Sequence, residues 1–385
     1  MSVEGALAPG ALVPEATTVT AAEEKISVAT QWQLMWWRFR KHKLALVATG
    51  VLVLFYLVVI FADFLAYADP ELSEAQRSLI SPQQVYFQYP EGGFGIHVLG
   101  MSGKRDPVTF KRVYEPDPTK KIPLTLFAHG FEYKLFGLIP MDLHLIGVAD
   151  GKPEETLFLL GTDIQGRDQW SRLMYATRIS LLIGLVSVAL SLTLGVLLGG
   201  LSGYFGGWVD IVVQRVIEIL RSIPTIPLWM GLAAAVPKEW DIARVFFIMT
   251  IIFALFQWTE LARVVRGRFL SLREEDFVTA AELVGCSRMR IIFRHMVPSF
   301  LSHIIAATTL ALPAIIIFET SLSFLGLGLR PPANSWGVML QAASNVQTAA
   351  VSPWLLYPAV PVILAILAFN FLGDGLRDAA DPYGV

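Results

Sequence analysis

The residues of this sequence that could perform acid–base, nucleophilic or metal chemistry do not occur at the spacings that such chemistry requires. The six histidines form no H-E-x-x-H pattern, and Cys286 is the single cysteine, so no cysteine cluster can bind a metal. There is no Gly-x-Ser-x-Gly nucleophile elbow. Gly103 and Lys104 lack the upstream glycine and the following Ser or Thr of a phosphate-binding loop. We therefore expect no catalytic residue, no metal site and no cofactor in this chain.

Glu319 is the acidic side chain that most needs an explanation, because it ends a long apolar run beside Thr320, Ser321 and Ser323. An ionisable group at the centre of a membrane helix costs roughly 2.5–3.5 kcal/mol on insertion scales. Two interpretations are open. Glu319, Ser321 and Ser323 line a translocation path or a gate, or the carboxylate is hydrogen-bonded between helices or reaches the membrane interface.

A stretch of charge between two long apolar runs is the strongest local pattern. Residues 263–295 hold seven arginines and four acidic side chains. Ser271, followed three residues later by Glu274, predicts a capping box at a helix start. One narrow apolar stripe then follows at helical spacing, formed by Phe277, Ala280, Ala281 and Val284.

The same stretch predicts a second helix after a glycine elbow. Gly285 suits the left-handed conformation that stops a helix, and Ser287 suits the cap of the next one. That second helix should end near Pro298. The pattern indicates a docking element for a soluble partner, and the alternative is an amphipathic loop lying on lipid headgroups.

Composition places the chain among membrane proteins. Of its 385 residues, 54% are hydrophobic and only 16% are charged, a balance that a soluble domain rarely carries. The formal net charge of −2 gives no indication of a nucleic-acid partner. The elements that must position the charged stretch are therefore expected to be membrane helices in contact with lipid.

Apolar runs predict six transmembrane helices in an all-α polytopic protein. The expected spans are residues 44–68, 179–201, about 211–236, 243–262, 299–322 and 354–372. A run of 25 residues rises roughly 37 Å as a helix, which is enough to cross a core of about 30 Å. Tryptophans and basic residues at 32–43 predict a cytoplasmic anchor before the first span. Six spans then place both termini and the arginine-rich loop in the cytoplasm.

Residues 69–160 differ from the rest and predict a small inserted domain outside the cytoplasm. Short alternating runs at 122–127 and 143–148 indicate strands, so we expect an α+β or β-rich fold. The predicted division is a mobile tail (1–35), an anchor with the first span (36–68), the insert (69–160) and a five-helix core (161–385). The core includes a cytoplasmic loop at 263–298.

The charged stretch resembles the EAA loop of ABC importer permeases, whose pattern is Glu-Ala-Ala, three residues, Gly, nine residues and Ile-x-Leu-Pro. Ala280, Ala281, Gly285 and Pro298 hold their places. Thr279 replaces the acid, His295 the isoleucine and Val297 the leucine. The histidine is similar to the dipeptide/oligopeptide/nickel branch. The resemblance implies ATPase coupling by Thr279, Ala280, Ala281, Glu282, Gly285, Ser287, Arg294, His295 and Pro298.

Other segments resemble the C-type permease of that branch over most of the chain from residue 36, except much of the insert. They are WWRFRKHKLAL at 36–46, LGTDIQGRDQWSRLMYATRISLLIG at 160–184, GYFGGWVD at 203–210, ETSLSFLGLGLRPPANSWGVML at 319–340 and FNFLGDGLRDAADP at 369–382. The resemblance implies a type I ABC importer permease in a bacterial inner membrane. Its expected partners are a homologous second permease, two cytoplasmic ATPases that bind ATP and Mg, and an extracytoplasmic solute-binding protein.

Oligopeptides are the expected cargo, with oligosaccharides, opines or nickel as alternatives within the same class. Two other classes stay open on the residues alone. An ion-coupled secondary transporter would need coupling-ion groups and often inverted repeats, and no internal repeat is evident. A membrane-anchored interaction protein would act through the 69–160 insert.

Overall fold

A computed structural model of the chain describes residues 30–88, 94–105, 107, 112–149, 157–237 and 239–380. Within these ranges, five single helices are long and apolar enough to cross a membrane, and one bent pair makes a sixth if it is counted as one span. The described part of the chain is therefore a polytopic helical protein with five or six spans, which agrees with the sequence prediction.

The principal helices are numbered here in chain order. They are α1 (Gln31–Phe39), α2 (Lys43–Leu65), α3 (Gln169–Phe205), α4 (Gly207–Ser222), α5 (Thr225–Ala235), α6 (Ile242–Leu272), α7 (Asp276–Leu283), α8 (Leu301–Phe324), α9 (Trp336–Gln341), α10 (Val346–Val351) and α11 (Ala359–Ala380). Helix α1 begins inside the segment predicted as a tail, and residues 1–29 of that tail lie outside the described residues. Side chains that accept from backbone amides cap α3 and α6, at Asp168 and Asp241.

The span expected at 211–236 is bent rather than straight. Helices α4 and α5 meet at an angle of 84°. Pro224 stands at the break, where a proline lacks the amide that a continuous helix needs and disfavours helical backbone in the residue before it. The predicted span is thus a bent pair of helices, and Pro224, which marks the bend, lies within the predicted range.

Glycines let α3 and α6 pack closely. A Cβ added at Gly199 would lie 2.5 Å from the carbonyl oxygen of Ala262, so only glycine fits there without moving α6. A Cβ at Gly203 would lie 2.5 Å from the Cβ of Phe269. These contacts continue to the carboxyl end of α6, where the charged stretch begins.

The insert contains a four-stranded antiparallel sheet of sequential strands, β1 (Val85–Gln88), β2 (Phe94–Arg105), β3 (Arg112–Leu135) and β4 (Ile139–Val148). The predicted strands at 122–127 and 143–148 lie within β3 and β4. Leu124 pairs with Val148 and His129 with Leu143. The β-rich prediction for the insert is confirmed for the described residues.

A buried carboxylate joins the insert to the start of α3. The Tyr67 hydroxyl donates to Asp168 Oδ1 at 2.7 Å, and the Ser171 amide donates to Asp168 Oδ2 at 2.7 Å. The amide of Leu159 in turn donates to the Tyr67 oxygen at 3.0 Å. Burial raises the pKa of Asp168 to about 6, against the hydrogen bonds that lower it. The insert is thus attached through a group that titrates above its ordinary range.

Candidate functional site

The first separate helix of the charged stretch begins later than the capping-box pattern predicts. Helix α6 continues through Ser271 to Leu272, so Ser271 lies inside a helix and not at its start. Helix α7 starts after Glu275, whose side chain makes no capping bond to a described residue. The prediction of a helix start at Ser271 was wrong. Val265 and Phe269 of α6 are fully buried, and this packing keeps α6 helical beyond the end of its apolar segment.

Gly285 forms the predicted elbow. Its φ of +81° lies in the left-handed region. The amide of Gly285 donates to the carbonyl of Glu282 at 2.9 Å, and the amide of Cys286 donates to that of Ala281 at 3.0 Å. These two bonds form a Schellman motif, which satisfies carbonyls that the end of α7 would leave unpaired. The direction of the chain after α7 is therefore fixed by hydrogen bonds.

A second helical stretch follows the elbow in three short pieces. They are Arg288–Arg290, the π-helical turn Ile291–Met296 and Val297–Ser299. Ser287 has the extended backbone of a cap, but its side chain makes no capping bond to a described residue. Phe300 is non-helical, so the stretch ends at Ser299, one residue after Pro298 and close to the prediction.

The inner face of this two-helix element is anchored in a small apolar core. Val278 of α7 and Ile291, Ile292 and Met296 of the second stretch are almost completely buried. They share a cluster with Tyr204 of α3, Val265 and Phe269 of α6, and Phe300 and Ile304 beside and within α8. A force on the element would therefore reach three long helices through direct packing.

The outer face presents apolar side chains to solvent. Leu283 is 84% exposed and Val284 is 83% exposed, and three other large side chains on this face, Phe277, Met289 and Phe293, are also exposed. Exposed apolar side chains with a polar rim are typical of contact surfaces. The polar rim includes Glu274, Glu275, Asp276, Arg290 and Arg294.

Seven of the nine coupling residues suggested by the sequence lie on the exposed side. They are Thr279, Ala280, Glu282, Gly285, Ser287, Arg294 and Pro298. Ala281 and His295 are half-buried, and Ala281 packs against the inner core rather than on an exposed stripe. Tyr204 donates to Glu282 Oε1 at 2.7 Å, and the Arg288 guanidinium lies 5.5 Å from the centroid of the Phe205 ring. These two contacts join the element to the end of α3.

Two family models match the chain. The model described as "Binding-protein-dependent transport system inner membrane component" covers residues 195–383, and "N-terminal TM domain of oligopeptide transport permease C" covers residues 30–86. The oligopeptide transport system permease protein OppC of Haemophilus influenzae is 40% identical over 229 residues, 59% of this chain and 71% of that protein. The chain belongs to the binding-protein-dependent transport permeases.

Of two further relatives, one extends the match to nearly the whole chain. OppC of Bacillus subtilis is 36% identical over 232 residues, 60% of this chain and 73% of that protein. The dipeptide transport system permease protein DppC of Lactococcus lactis is 32% identical over 354 residues, 91% of this chain and 90% of that protein. A match of that length includes the 69–160 insert, so the insert is not peculiar to this permease.

Glu319 lies in the interior of the permease chain, where it is 2% exposed. Its Oε2 accepts from the Ser180 hydroxyl at 3.0 Å and its Oε1 accepts from the Ser323 hydroxyl at 2.9 Å. The Trp336 amide in turn donates to Ser180 Oγ at 3.2 Å. Glu319 therefore joins α3, α8 and α9. This geometry fits the interhelical alternative, and the assignment of Glu319, Ser321 and Ser323 to a path or gate stays a prediction; Ser321 is exposed.

A buried ionic cluster near the start of α3 was missed by sequence reasoning. Asp163 Oδ2 accepts from Arg172 Nη1 at 2.6 Å and from Arg167 Nη2 at 2.7 Å. Arg172 Nε donates to Asn334 Oδ1 at 2.8 Å, which joins the start of α3 to the loop before α9. The signal was present as two arginines and an aspartate within ten residues of an apolar run, but the partner Asn334 lies 162 positions away.

Proposed function

We propose that this permease forms one half of the translocation path of an ATP-driven importer and that the element at residues 276–299 couples it to the ATPase. The observation that carries the proposal is the two-sided packing of that element. Its inner face is buried against α3, α6 and the start of α8, and its outer face is apolar and exposed. A partner that moves the outer face would move the ends of all three helices together.

The assembly that we propose contains a homologous second permease, two cytoplasmic ATPases and an extracytoplasmic solute-binding protein. ATP and Mg bind to the ATPases, and this chain has no catalytic step. It adopts the type I importer permease fold in a bacterial inner membrane with both termini cytoplasmic. The 69–160 insert lies outside the cytoplasm, where it contacts the binding protein or covers the channel mouth. Closure of the ATPase dimer by ATP supplies the differential contact that a two-state change requires.

Peptides are the proposed cargo. The relatives named as oligopeptide and dipeptide permeases support this choice, and they include the Lactococcus protein aligned over nearly the whole chain. Oligosaccharides, opines and nickel are the other cargoes carried in this branch. Uptake of labelled peptides into vesicles with the cognate binding protein tests the choice, and transport of another solute without competition from peptides would refute it.

Two substitutions that each introduce a negative charge on α7 test the coupling role. Ala280 is exposed and contributes no packing to the inner core, so Ala280→Glu should leave the fold intact while placing a charge in the docking face. Thr279→Glu adds the same side chain one position earlier, where the EAA pattern has an acid. We expect Ala280→Glu to abolish ATPase stimulation by the binding protein in proteoliposomes, and Thr279→Glu to retain it.

The proposal fails if Ala280→Glu is stimulated as strongly as the unmodified permease. Gly285→Pro and Ala281→Glu would test the same role less cleanly. Proline at Gly285 would remove the amide that bonds Glu282 and cannot adopt a φ of +81°, and Ala281 packs on the inner core.

A further inference from the structure

The turn between β3 and β4 carries large apolar side chains where a hairpin turn is ordinarily polar. Leu138 is 82% exposed, and Phe136 and Ile139 are each more than half exposed. Soluble hairpins place Gly, Asn or Asp at such positions. Residues 135–139 are called the hairpin tip below.

The backbone conformation at the hairpin tip is energetically unfavourable for its phenylalanine, Phe136. The Leu138 amide donates to the Leu135 carbonyl at 3.1 Å, and both central residues have positive φ, +56° at Phe136 and +71° at Gly137. This is the turn that favours Asn-Gly, and a bulky residue at positive φ is strained. Phe127 also has positive φ, so two of the three described non-glycine residues in that region are exposed phenylalanines of this one hairpin. The strain indicates that apolar side chains are needed there.

Both phenylalanines lie against the carboxyl end of the first span. The ring centroid of Phe136 is 6.3 Å from that of Phe61, and the centroid of Phe127 is 6.2 Å from that of Phe64. Phe61 precedes the last residue of α2 by four positions, which is about 6 Å along a helix. Because α2 is about 34 Å long and a bilayer core is about 30 Å thick, Phe61 lies at or inside the hydrocarbon boundary.

The hairpin tip continues the lipid-facing surface of α2. The exposed apolar side chains of that helix recur at helical spacing at Leu54, Leu57 and Phe61. Phe61 ends this stripe and touches Phe136, so the apolar surface passes from the helix to the hairpin tip without a polar break.

The height of the hairpin is fixed by polar contacts to the same helix. His144 of β4 lies with Nδ1 3.2 Å from the carbonyl oxygen of Asp63 and with Nε2 3.0 Å from that of Phe131. Asp63 is in turn held by Arg178 of α3, with Nη2 to Oδ2 at 2.7 Å and Nη1 to Oδ1 at 3.0 Å. The hairpin tip is therefore fixed beside the span and does not swing freely in solvent.

We propose that the hairpin tip inserts into the leaflet at the carboxyl end of α2, so that Phe136, Leu138 and Ile139 contact lipid acyl chains. The insert would then rest on the membrane as well as on the helices, and its sheet would stand at a set angle above the channel. The proposal requires only that α2 crosses a bilayer, and it goes beyond the proposed function because no importer activity enters it.

Site-specific fluorescence tests the proposal in the purified full chain. Cys286 is the single cysteine, so Cys286→Ser gives a background in which Leu138→Cys alone carries an environment-sensitive fluorophore. Leu138 is exposed, and labelling it leaves the packed core unchanged. The matched control is Val113→Cys, an exposed apolar position of the same strand β3, about 70 Å from the tip along an extended strand.

After reconstitution into phosphatidylcholine and phosphatidylglycerol vesicles, we expect the label at position 138 to lose most of its emission to lipids that carry a spin label high on the acyl chain. Aqueous iodide should quench it little. The label at position 113 should show the reverse. Equal quenching of both labels by iodide would overturn the proposal. A label at 138 that neither quencher reaches would also overturn it, since a protein partner would then cover the hairpin tip.

Discussion

Asp168 offers a quantitative test of how the insert is attached. Its carboxylate is buried at the start of α3, with Tyr67 as a side-chain donor, and burial raises its pKa to about 6 from its ordinary value of 3.8. A raised folded-state pKa means that the native state binds the proton more tightly than the unfolded chain does. Stability from this group is therefore fully present below pH 3.8 and is lost as the pH rises through 6.

The size of the effect follows from the two pKa values. A difference of about two units corresponds to about 3 kcal/mol at pH 7, at 1.36 kcal/mol per unit. Asp168→Asn removes the titration and keeps one of the two acceptor oxygens, so it loses the bond from either Tyr67 or Ser171 by an amount that does not depend on pH. The unmodified permease should lose about 3 kcal/mol of stability between pH 4 and pH 7 that the variant does not lose.

Unfolding of the purified chain in detergent, followed by tryptophan fluorescence across that pH range, measures this difference. Other carboxylates titrate in both proteins and cancel in the comparison. The reasoning is refuted if the two proteins show the same pH dependence, because Asp168 would then have an ordinary pKa in the folded chain.

Two further predictions concern packing. Gly199→Ala should destabilise the permease by about 1–3 kcal/mol, because the added Cβ meets the α6 backbone. Gly267→Ala is the control and should be neutral or stabilising, since no described atom lies within 4 Å of its new Cβ. Thermal unfolding in detergent compares the two variants. Met296→Ala should lower the free energy of unfolding by about 2–5 kcal/mol, because it opens a cavity under the two-helix element at residues 276–299. Phe293→Ala, on the exposed side of the same turn, should leave stability nearly unchanged and instead weaken binding-protein-stimulated ATPase activity; equal stability losses in both variants would contradict the two-sided packing.

Local features of the two-helix element at residues 276–299 were predictable because they depend on residues that are neighbours in the sequence. Gly285 stops α7 through its own backbone freedom, and the position of Pro298 limits the following stretch. The start of α7 was not predictable in this way. Ser271 and Glu274 satisfy a capping pattern, but the burial of Phe269 against α3 keeps the chain helical past that point. Tertiary packing overrode a local signal.

The polar interior was less accessible to sequence reasoning. Glu319 was recognised as unusual, but its role depends on Ser180, which is 139 positions away. The link from Arg172 to Asn334 is of the same kind. A sequence shows that such groups need partners, because burying an unpaired charge is costly. It does not show which distant residues supply them.

The bend between α4 and α5 has a consequence for biogenesis. Helix α5 has eleven residues and rises only about 16 Å, which is too short to cross a bilayer core of about 30 Å alone. Trp229 of α5 is buried against Phe253 of α6 and Phe318 of α8, with ring centroids 5.6 Å and 4.3 Å apart. During synthesis α5 emerges before α6 and α8. It can therefore reach its final position only after residue 318 has been synthesised. Until then the nascent chain holds a short helix that has not yet packed against its partners.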